Sequence, residues 1–213
     1  MTPEHTPEVT ARALDLRDYV QTFDGALPPA FCQQLIASFQ QTTDRHVVRS
    51  PGWRAGLDAS AWTELDVSAL ADEAFKGFFY KQVDDHLALY NQRLGLTIPV
   101  PPSPLISAMR IKRYIANSGE GFQPHFDAIY EVANRYLVFL WYLNDVEQGG
   151  ETEFCDLRIK VPARAGKLLV FPPYWMFQHA GRPPLSGDKY ILSMYLLFPQ
   201  AGPVLPAMAA GQP

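Results

Sequence analysis

Two stretches of the chain hold side chains that can do chemistry together, PHFDAIY (124–130) and QHAGRPPLSGDKY (178–190). His125 and Asp127 stand two apart. On a strand, positions i and i+2 point to one face, so this imidazole and carboxylate can converge on one point. A second imidazole, His179, follows much later, beside an expected strand. Two imidazoles and one carboxylate on one face of a metal leave the opposite positions open. That donor set suits non-haem ferrous iron and its oxygen chemistry. Lys189 comes ten residues after His179, near the start of the last expected strand. A fixed cation there can anchor the far carboxylate of a dicarboxylate whose other end sits on the metal. Each residue alone has an ordinary structural explanation; the combination is what points to a metal site.

The elements that must position these groups fall into two halves. Pro28-Pro29 followed by AFCQQLIASFQQ marks a helix start, because proline fits the first turn. Phe31, Leu35 and Phe39 recur every four residues and give that helix one apolar stripe. A polar stretch from Thr42 to Thr63 reads as loop or irregular hairpin. Residues 66–93 read as a long helix, with Asp66 or Ser68 as cap and Gly95 as its end. Its expected apolar side runs Leu70, Phe75, Phe78, Phe79, Val83, Leu87 and Tyr90. Beyond the proline-rich IPVPPSPL (98–105) the period changes from helical to alternating. Strands are expected over 105–116, 136–143, 167–171 and 190–198. More than half of the aromatic residues fall between Phe122 and Phe198. Short strands with Gly and Pro between them suggest a sandwich or barrel.

Composition excludes several classes. Charged residues are 19% and aromatic residues 13%, too few and too many for a disordered chain. The formal net charge of −4 argues against a nucleic-acid partner. No apolar run reaches the roughly 18 residues that cross a bilayer. The segment MTPEHTPEVTARALDLRD has no apolar stretch of a secretory signal. Cys32 and Cys155 are too few for a zinc cluster or a disulfide framework and fit a reducing cytoplasm. The expectation is a cytoplasmic protein with no nucleic-acid and no membrane partner; its oligomeric state stays open.

The motifs resemble the Fe(II)/2-oxoglutarate-dependent dioxygenases, in their prolyl 4-hydroxylase-like branch. The resemblance rests on Arg113-Tyr114, His125 and Asp127, YLNDVEQGGETEF (142–154), VFPPYWMFQH (170–179) and GDKYILSMY (187–195). It covers residues 25–198 and is most specific over 109–198. It implies that His125, Asp127 and His179 ligate iron and that Lys189 pairs with the C5 carboxylate of 2-oxoglutarate. It implies that Tyr114 and Thr152 line or hydrogen-bond the 2-oxoglutarate site, with Tyr195 as an aromatic at the same pocket. The cofactors implied are Fe(II), 2-oxoglutarate as cosubstrate and O2, with ascorbate as a reductant. The reaction implied is hydroxylation of an unactivated C–H bond, with succinate and CO2 as co-products. The substrate is a prolyl residue or a small molecule. Asp127 argues against a halogenase, because a halide needs the position the carboxylate holds. The fold implied is α+β, a double-stranded β-helix (jelly roll) with N-terminal helices packed on one sheet. On this reading 1–20 is a loose arm, 21–104 the helical part, 105–199 the jelly-roll core and 200–213 a frayed tail.

Two other readings stay open on the residues alone. One is a cupin-like metal-binding jelly roll with other oxygen chemistry or zinc, which has no need for Lys189. The other is a non-enzymatic binding module, which has no need for an intact triad. For the substrate mouth, Trp53, Arg54, Tyr174 and Trp175 are the candidate contacts. Residues 49–63 combine hinge residues with two large aromatics and are expected to form a lid. The competing expectation is that Trp53 and Trp62 simply pack on the helices.

Overall fold

The computed structural model describes residues 14–54 and 56–199. The expected tail over 200–213 lies outside the described residues, and so does most of the expected arm over 1–20. From Leu14 onward the chain is ordered into a short 3-10 turn, Leu16–Tyr19, closed by a reciprocal cap between Asp15 and Asp18. The helices are α1 (Pro29–Gln41) and α2 (Glu73–Leu94). The first strands are β1 (Gln21–Phe23), β2 (Val47–Arg49), β3 (Trp62–Asp66), β4 (Arg110–Tyr114), β5 (Phe122–His125) and β6 (Arg135–Tyr142). Then follow β7 (Thr152–Phe154), β8 (Ile159–Val161), β9 (Leu168–Phe171), β10 (His179–Gly181) and β11 (Lys189–Leu197).

All described strand pairs are antiparallel, and they form two sheets. The larger runs β1-β9-β6-β11-β4-β3-β2 and the smaller runs β5-β10-β7-β8. The pairing of distant strands across two facing sheets is the double-stranded β-helix that the motifs implied, in an α+β fold. Alternation along β6 and β11 sorts the interior. Leu137, Phe139 and Trp141 join Leu192 and Met194 on the face that packs against the helices. Val138, Leu140 and Tyr142 join Ile191 on the face that looks toward the smaller sheet. A strand buried on both faces shows no polar alternation, which is why YLVFLWYL reads as one apolar run.

Both helices rest on that first face. Phe79 of α2 meets Trp141 edge-on with centroids 5.4 Å apart, and Phe39 of α1 meets Tyr190 the same way at 5.7 Å. Helix α1 begins at Pro29, as the first-turn proline predicts. Helix α2 ends at Gly95, whose φ of 61° is the left-handed turn that glycine takes without strain. Its start differs from expectation. Asp66 is the last residue of β3, paired with Arg110, so it is already extended. Its side chain accepts from Ser68 N–H and closes a separate 3-10 turn over Val67–Ala69. Asp72 caps α2 instead, accepting from Phe75 N–H at 2.8 Å. Leu70 and Phe78 accordingly stand exposed, while Phe79, Val83, Leu87 and Tyr90 are buried.

The stretch 21–104 is not purely helical. It gives β1, β2 and β3 to the larger sheet. These strands have three, three and five residues, too short for alternation to show. The strand expected over 105–116 narrows to Arg110–Tyr114.

Candidate metal centre and cosubstrate slot

The site lies between the two sheets, where the inward positions of β4 and β11 face β5, β7 and β10. His125 is the last residue of β5 and His179 the first of β10, and the two are direct cross-strand partners. Asp127 departs from the expectation of a strand position. The strand stops at His125, and the chain turns so that the N–H groups of Asp127 and Ala128 both donate to the Pro173 carbonyl at 3.0 Å. That double hydrogen bond aims the carboxylate back at the imidazoles. His125 Nε2 lies 3.4 Å from Asp127 Oδ1, and His179 Nε2 lies 3.6 Å from Asp127 Oδ2.

Each imidazole is oriented through its other nitrogen. His125 Nδ1 is 2.8 Å from the Gln123 carbonyl and His179 Nδ1 is 3.1 Å from the Phe177 carbonyl. A carbonyl only accepts, so Nδ1 carries the proton and Nε2 presents its lone pair. Phe122 stacks on His125 at 3.8 Å, and Phe171 meets His179 edge-on at 4.7 Å. Burial would raise the Asp127 carboxyl, but contact with His125 and the nearness of His179 and Arg135 hold it well below the usual carboxylate range. Burial, aided by His125, pushes His179 down to about 4 against the pull of Asp127. A neutral His179 beside an ionised Asp127 is the protonation state a metal requires of those two groups. The three donor atoms lie within 4.8 Å of one another. Two nitrogen lone pairs and one carboxylate on one side of a point fit Fe(II), with the far side free.

A narrow slot of about 40 Å³ leads inward from the triad. Lys189, Tyr114, Thr152 and Tyr195 all line it. Lys189 faces Tyr114 across the β4–β11 ladder. Its ammonium is 5.5 Å from the ring centroids of both Tyr114 and Tyr142. The side chain is 2% exposed, and among the described residues it has no ion-pair partner. Burial, helped by Lys112, pushes the ammonium down to about 7, with distant Glu151 opposing. A buried cation without a counter-ion is costly, and the carboxylate of a bound dicarboxylate is the kind of group that offsets the cost. Burial holds the Tyr114 and Tyr195 hydroxyls above the usual phenol range, so both stay neutral. Thr152 Oγ1 meets the Tyr142 hydroxyl at 2.7 Å, which fixes the slot wall.

Outside the triad a wider cavity of about 360 Å³ opens to solvent. Trp53 and Arg54 line it. Tyr174 and Trp175 do not. Tyr174 packs against the helix-side core, and Trp175 is 64% exposed. The short 3-10 turn Trp175–Phe177 points only Phe177 inward, which the spacing of the aromatics alone does not reveal. Neither Trp53 nor Trp62 belongs to the helix-side core. Trp62 is buried and stacks on Phe122 at 4.7 Å, and Trp53 meets Trp62 edge-on at 5.8 Å. Arg54 reaches across to Glu131 at 3.1 Å. Gln123 ties the same segment to the centre. Its side chain accepts from Ala59 N–H and donates to the Gly56 carbonyl, while its own carbonyl orients His125. Nothing in the spacing of Gln123 and Arg135 marks them as site residues. Only the alternation along β4 signals that Lys112 shares a face with Tyr114.

Residues 109–197 match the family model described as the 2OG-Fe(II) oxygenase superfamily. Over that segment the chain is similar to the 2OG-Fe(II) oxygenases. It holds all three candidate ligands and Lys189. Human prolyl 4-hydroxylase subunit alpha-3 is 30% identical over 135 residues. This match takes in 54% of the present chain and 24% of the human protein, so the chain spans about a quarter of that relative. Among solved structures, a Trichoplax adhaerens prolyl hydroxylase in complex with a hypoxia inducible factor oxygen degradation domain peptide is similar, with a TM-score of 0.64. It is 19% identical and covers 84% of each chain. A viral collagen prolyl hydroxylase from Paramecium Bursaria Chlorella virus-1, in its 2OG complex, has a TM-score of 0.58 at 19% identity. It covers 83% of this chain and 94% of its own. Both likenesses are of fold. Among the described residues no helix is long and apolar enough to cross a membrane.

Proposed function

We propose that the protein is an Fe(II)- and 2-oxoglutarate-dependent dioxygenase that hydroxylates an unactivated C–H bond. One observation carries the reading. The convergent His125, Asp127 and His179 stand at the mouth of a slot whose depth holds a buried, unpaired lysine. In this reading the three residues hold Fe(II), and Lys189 holds the C5 carboxylate of 2-oxoglutarate. Bound iron supplies the means to split O2 and to couple oxidative decarboxylation of 2-oxoglutarate, giving succinate and CO2, to hydroxylation.

The chain's own residues do the rest. The main-chain carbonyls of Gln123 and Phe177 hold the two imidazoles in the metal-binding tautomer. Lys189 would hold the far carboxylate of the cosubstrate at the inner end of the slot. Tyr114, Thr152 and Tyr195 shape the slot around it, and the apolar walls from β6, β9 and β11 exclude bulk water. The substrate docks in the wider cavity, beside His125 and Asp127. Residues 49–63 act as a lid whose Trp53 and Arg54 touch the substrate, held in the resting state by the Arg54–Glu131 pair. The substrate is a peptidyl residue, as in the Trichoplax complex, or a small molecule, and ascorbate serves as a reductant. The protein acts in the cytoplasm, which suits its free cysteines, one of them buried. The cupin-type alternative leaves Lys189 without a role, and no observation favours it.

A substrate screen that reads succinate formation, with Fe(II) and 2-oxoglutarate supplied, tests the reading. Succinate that rises with one class of substrate and requires added iron is the expected result. Succinate formation independent of iron overturns it.

A further inference from the structure

The wider cavity holds a cation that neither the metal triad nor the cosubstrate anchor uses. Lys112 lies one inward step along β4 from Tyr114, opposite Ile191 of β11 and Glu64 of β3. It lines both the slot and the wider cavity. Among the described residues its ammonium forms no ion pair and no hydrogen bond. The ammonium stands 5.1 Å from the Trp62 ring centroid and 5.5 Å from that of Phe122. Aromatic faces attract a cation without neutralising it.

The acids nearby are already engaged. Glu64 Oε1 takes Arg49 at 2.9 Å and Arg110 at 3.7 Å. Glu64 Oε2 accepts from Trp62 Nε1 at 2.8 Å. Asp127 serves the metal, and Glu131 pairs with Arg54. The remaining charged groups on this wall are cations. Arg135 lies 3.9 Å over the Tyr195 ring and donates to the Asp127 carbonyl at 3.4 Å. Arg110 lies two residues from Lys112 on the same face of β4. Burial pulls the Lys112 ammonium below the ordinary lysine range; Arg135 and Arg110 push the same way, while Glu64 and Asp127 oppose them. The cavity therefore carries a surplus of positive charge on a wall whose apolar part is the stacked pair Trp62 and Phe122.

We propose that this cavity selects a small substrate bearing a carboxylate, with the carboxylate against Lys112 and Arg110 and the apolar body on the Trp62–Phe122 wall. The inference rests on the hydroxylase reading of the same site. It decides between the substrates that reading leaves open. A free acid brings the charge that Lys112 lacks, whereas an internal residue of a peptide offers only neutral amides there.

Cyclopentanecarboxylate and cyclopentanecarboxamide share a ring and a shape and differ in charge. Each is titrated calorimetrically into protein saturated with Mn(II) and 2-oxoglutarate. The acid is expected to bind at least roughly tenfold more tightly than the amide. In Lys112→Met, at saturating 2-oxoglutarate, that preference falls to about one. Lys112→Gln, which keeps a polar end, shows the same loss and replaces the Met variant if that one does not fold. Three results overturn the proposal: equal binding of acid and amide, binding of neither, or a preference that survives both substitutions. Failure of the hydroxylase reading is seen separately and earlier, since Mn(II) and 2-oxoglutarate then do not bind wild-type protein. That result removes the proposal with it.

Discussion

The narrow slot and the wider cavity share His125 and Asp127, yet they are built from different parts of the fold. The slot is walled by β4, β6 and β11, at the centre of the larger sheet, with neighbours on both sides. The cavity shares β4 and β11 with the slot, but its outer wall comes from the β2–β3 segment at the sheet's edge and from residues 126–134, which hold one short 3-10 turn and no strand. Central strands fix side chains by ladder and packing together. Edge segments are held by single contacts such as Arg54–Glu131 and the Gln123 side chain. A rigid slot can therefore keep one cosubstrate and one chemistry, while the edge can change its substrate without disturbing either.

The largest effect is expected where the two regions meet. His125→Ala or His179→Ala removes one of three donors. Mn(II) affinity should fall by more than the roughly 100-fold that loss of an outer hydrogen bond costs a metal site. Neither imidazole belongs to the apolar clusters that hold the sheets together, so circular dichroism should be unchanged. Native metal affinity in both variants breaks the assignment of the shared corner.

Lys189→Ala probes the slot alone. The distal carboxylate of 2-oxoglutarate then lies unpaired in a nearly dry site, at a cost of about 2–5 kcal/mol in affinity. Mn(II) should still bind, because Lys189 is not a ligand. Unchanged 2-oxoglutarate affinity would move the anchor to another cation.

The same lysine gives the slot a pH dependence. Tyr114 and Tyr142 face its ammonium and are held neutral by burial, with Glu151 and Lys112 as the more distant charges. With Lys189 titrating at about 7 in the free protein, the anchor is charged below that value and neutral above it. 2-Oxoglutarate affinity should hold below about pH 7 and fall by up to about tenfold per pH unit above it. For folding the sign is the opposite. The folded value lies below the unfolded one, so this group adds stability to the ligand-free protein as pH rises from about 7 toward about 10.4. Calorimetry and thermal melts across that window read both slopes, and a flat 2-oxoglutarate profile would contradict the buried-anchor assignment.

The smallest effect belongs to the edge. Arg54 and Glu131 are 34% and 72% exposed, and such a pair is worth about 0–1 kcal/mol. Arg54→Ala should leave the melting temperature and 2-oxoglutarate affinity nearly unchanged while weakening substrate binding. In wild-type protein trypsin should cut after Arg54 rather than after Arg49, which lies in β2 with its guanidinium locked on Glu64 of β3. Metal, 2-oxoglutarate and substrate together should protect that bond. Equal cleavage with and without them would leave 49–63 as a fixed wall.

The same division explains what the sequence made readable. His125, His179 and Lys189 were visible because each stands at a strand end whose residues fix its direction. The long strands β6 and β11 declared themselves by apolar run and alternation. Asp127 was found by its type and spacing, although its direction comes from the Pro173 carbonyl, a tertiary contact with no local trace. The short strands β1, β2 and β3 exist because the larger sheet recruits them, and three to five residues cannot announce a period. Glu64, Lys112 and Arg135 meet only when β3, β4 and β6 fold onto one wall. Tyr174 and Trp175 looked like site residues by sitting just before His179, but one 3-10 turn sends them elsewhere.

The central claim is that metal triad and buried lysine form one binding unit for one dicarboxylate. Titration of 2-oxoglutarate into metal-free protein, Mn(II)-loaded protein and Mn(II)-loaded Lys189→Ala tests it most directly. One-to-one binding that is tight only when the metal and the lysine are both present is expected. Binding of equal strength in all three samples would contradict it.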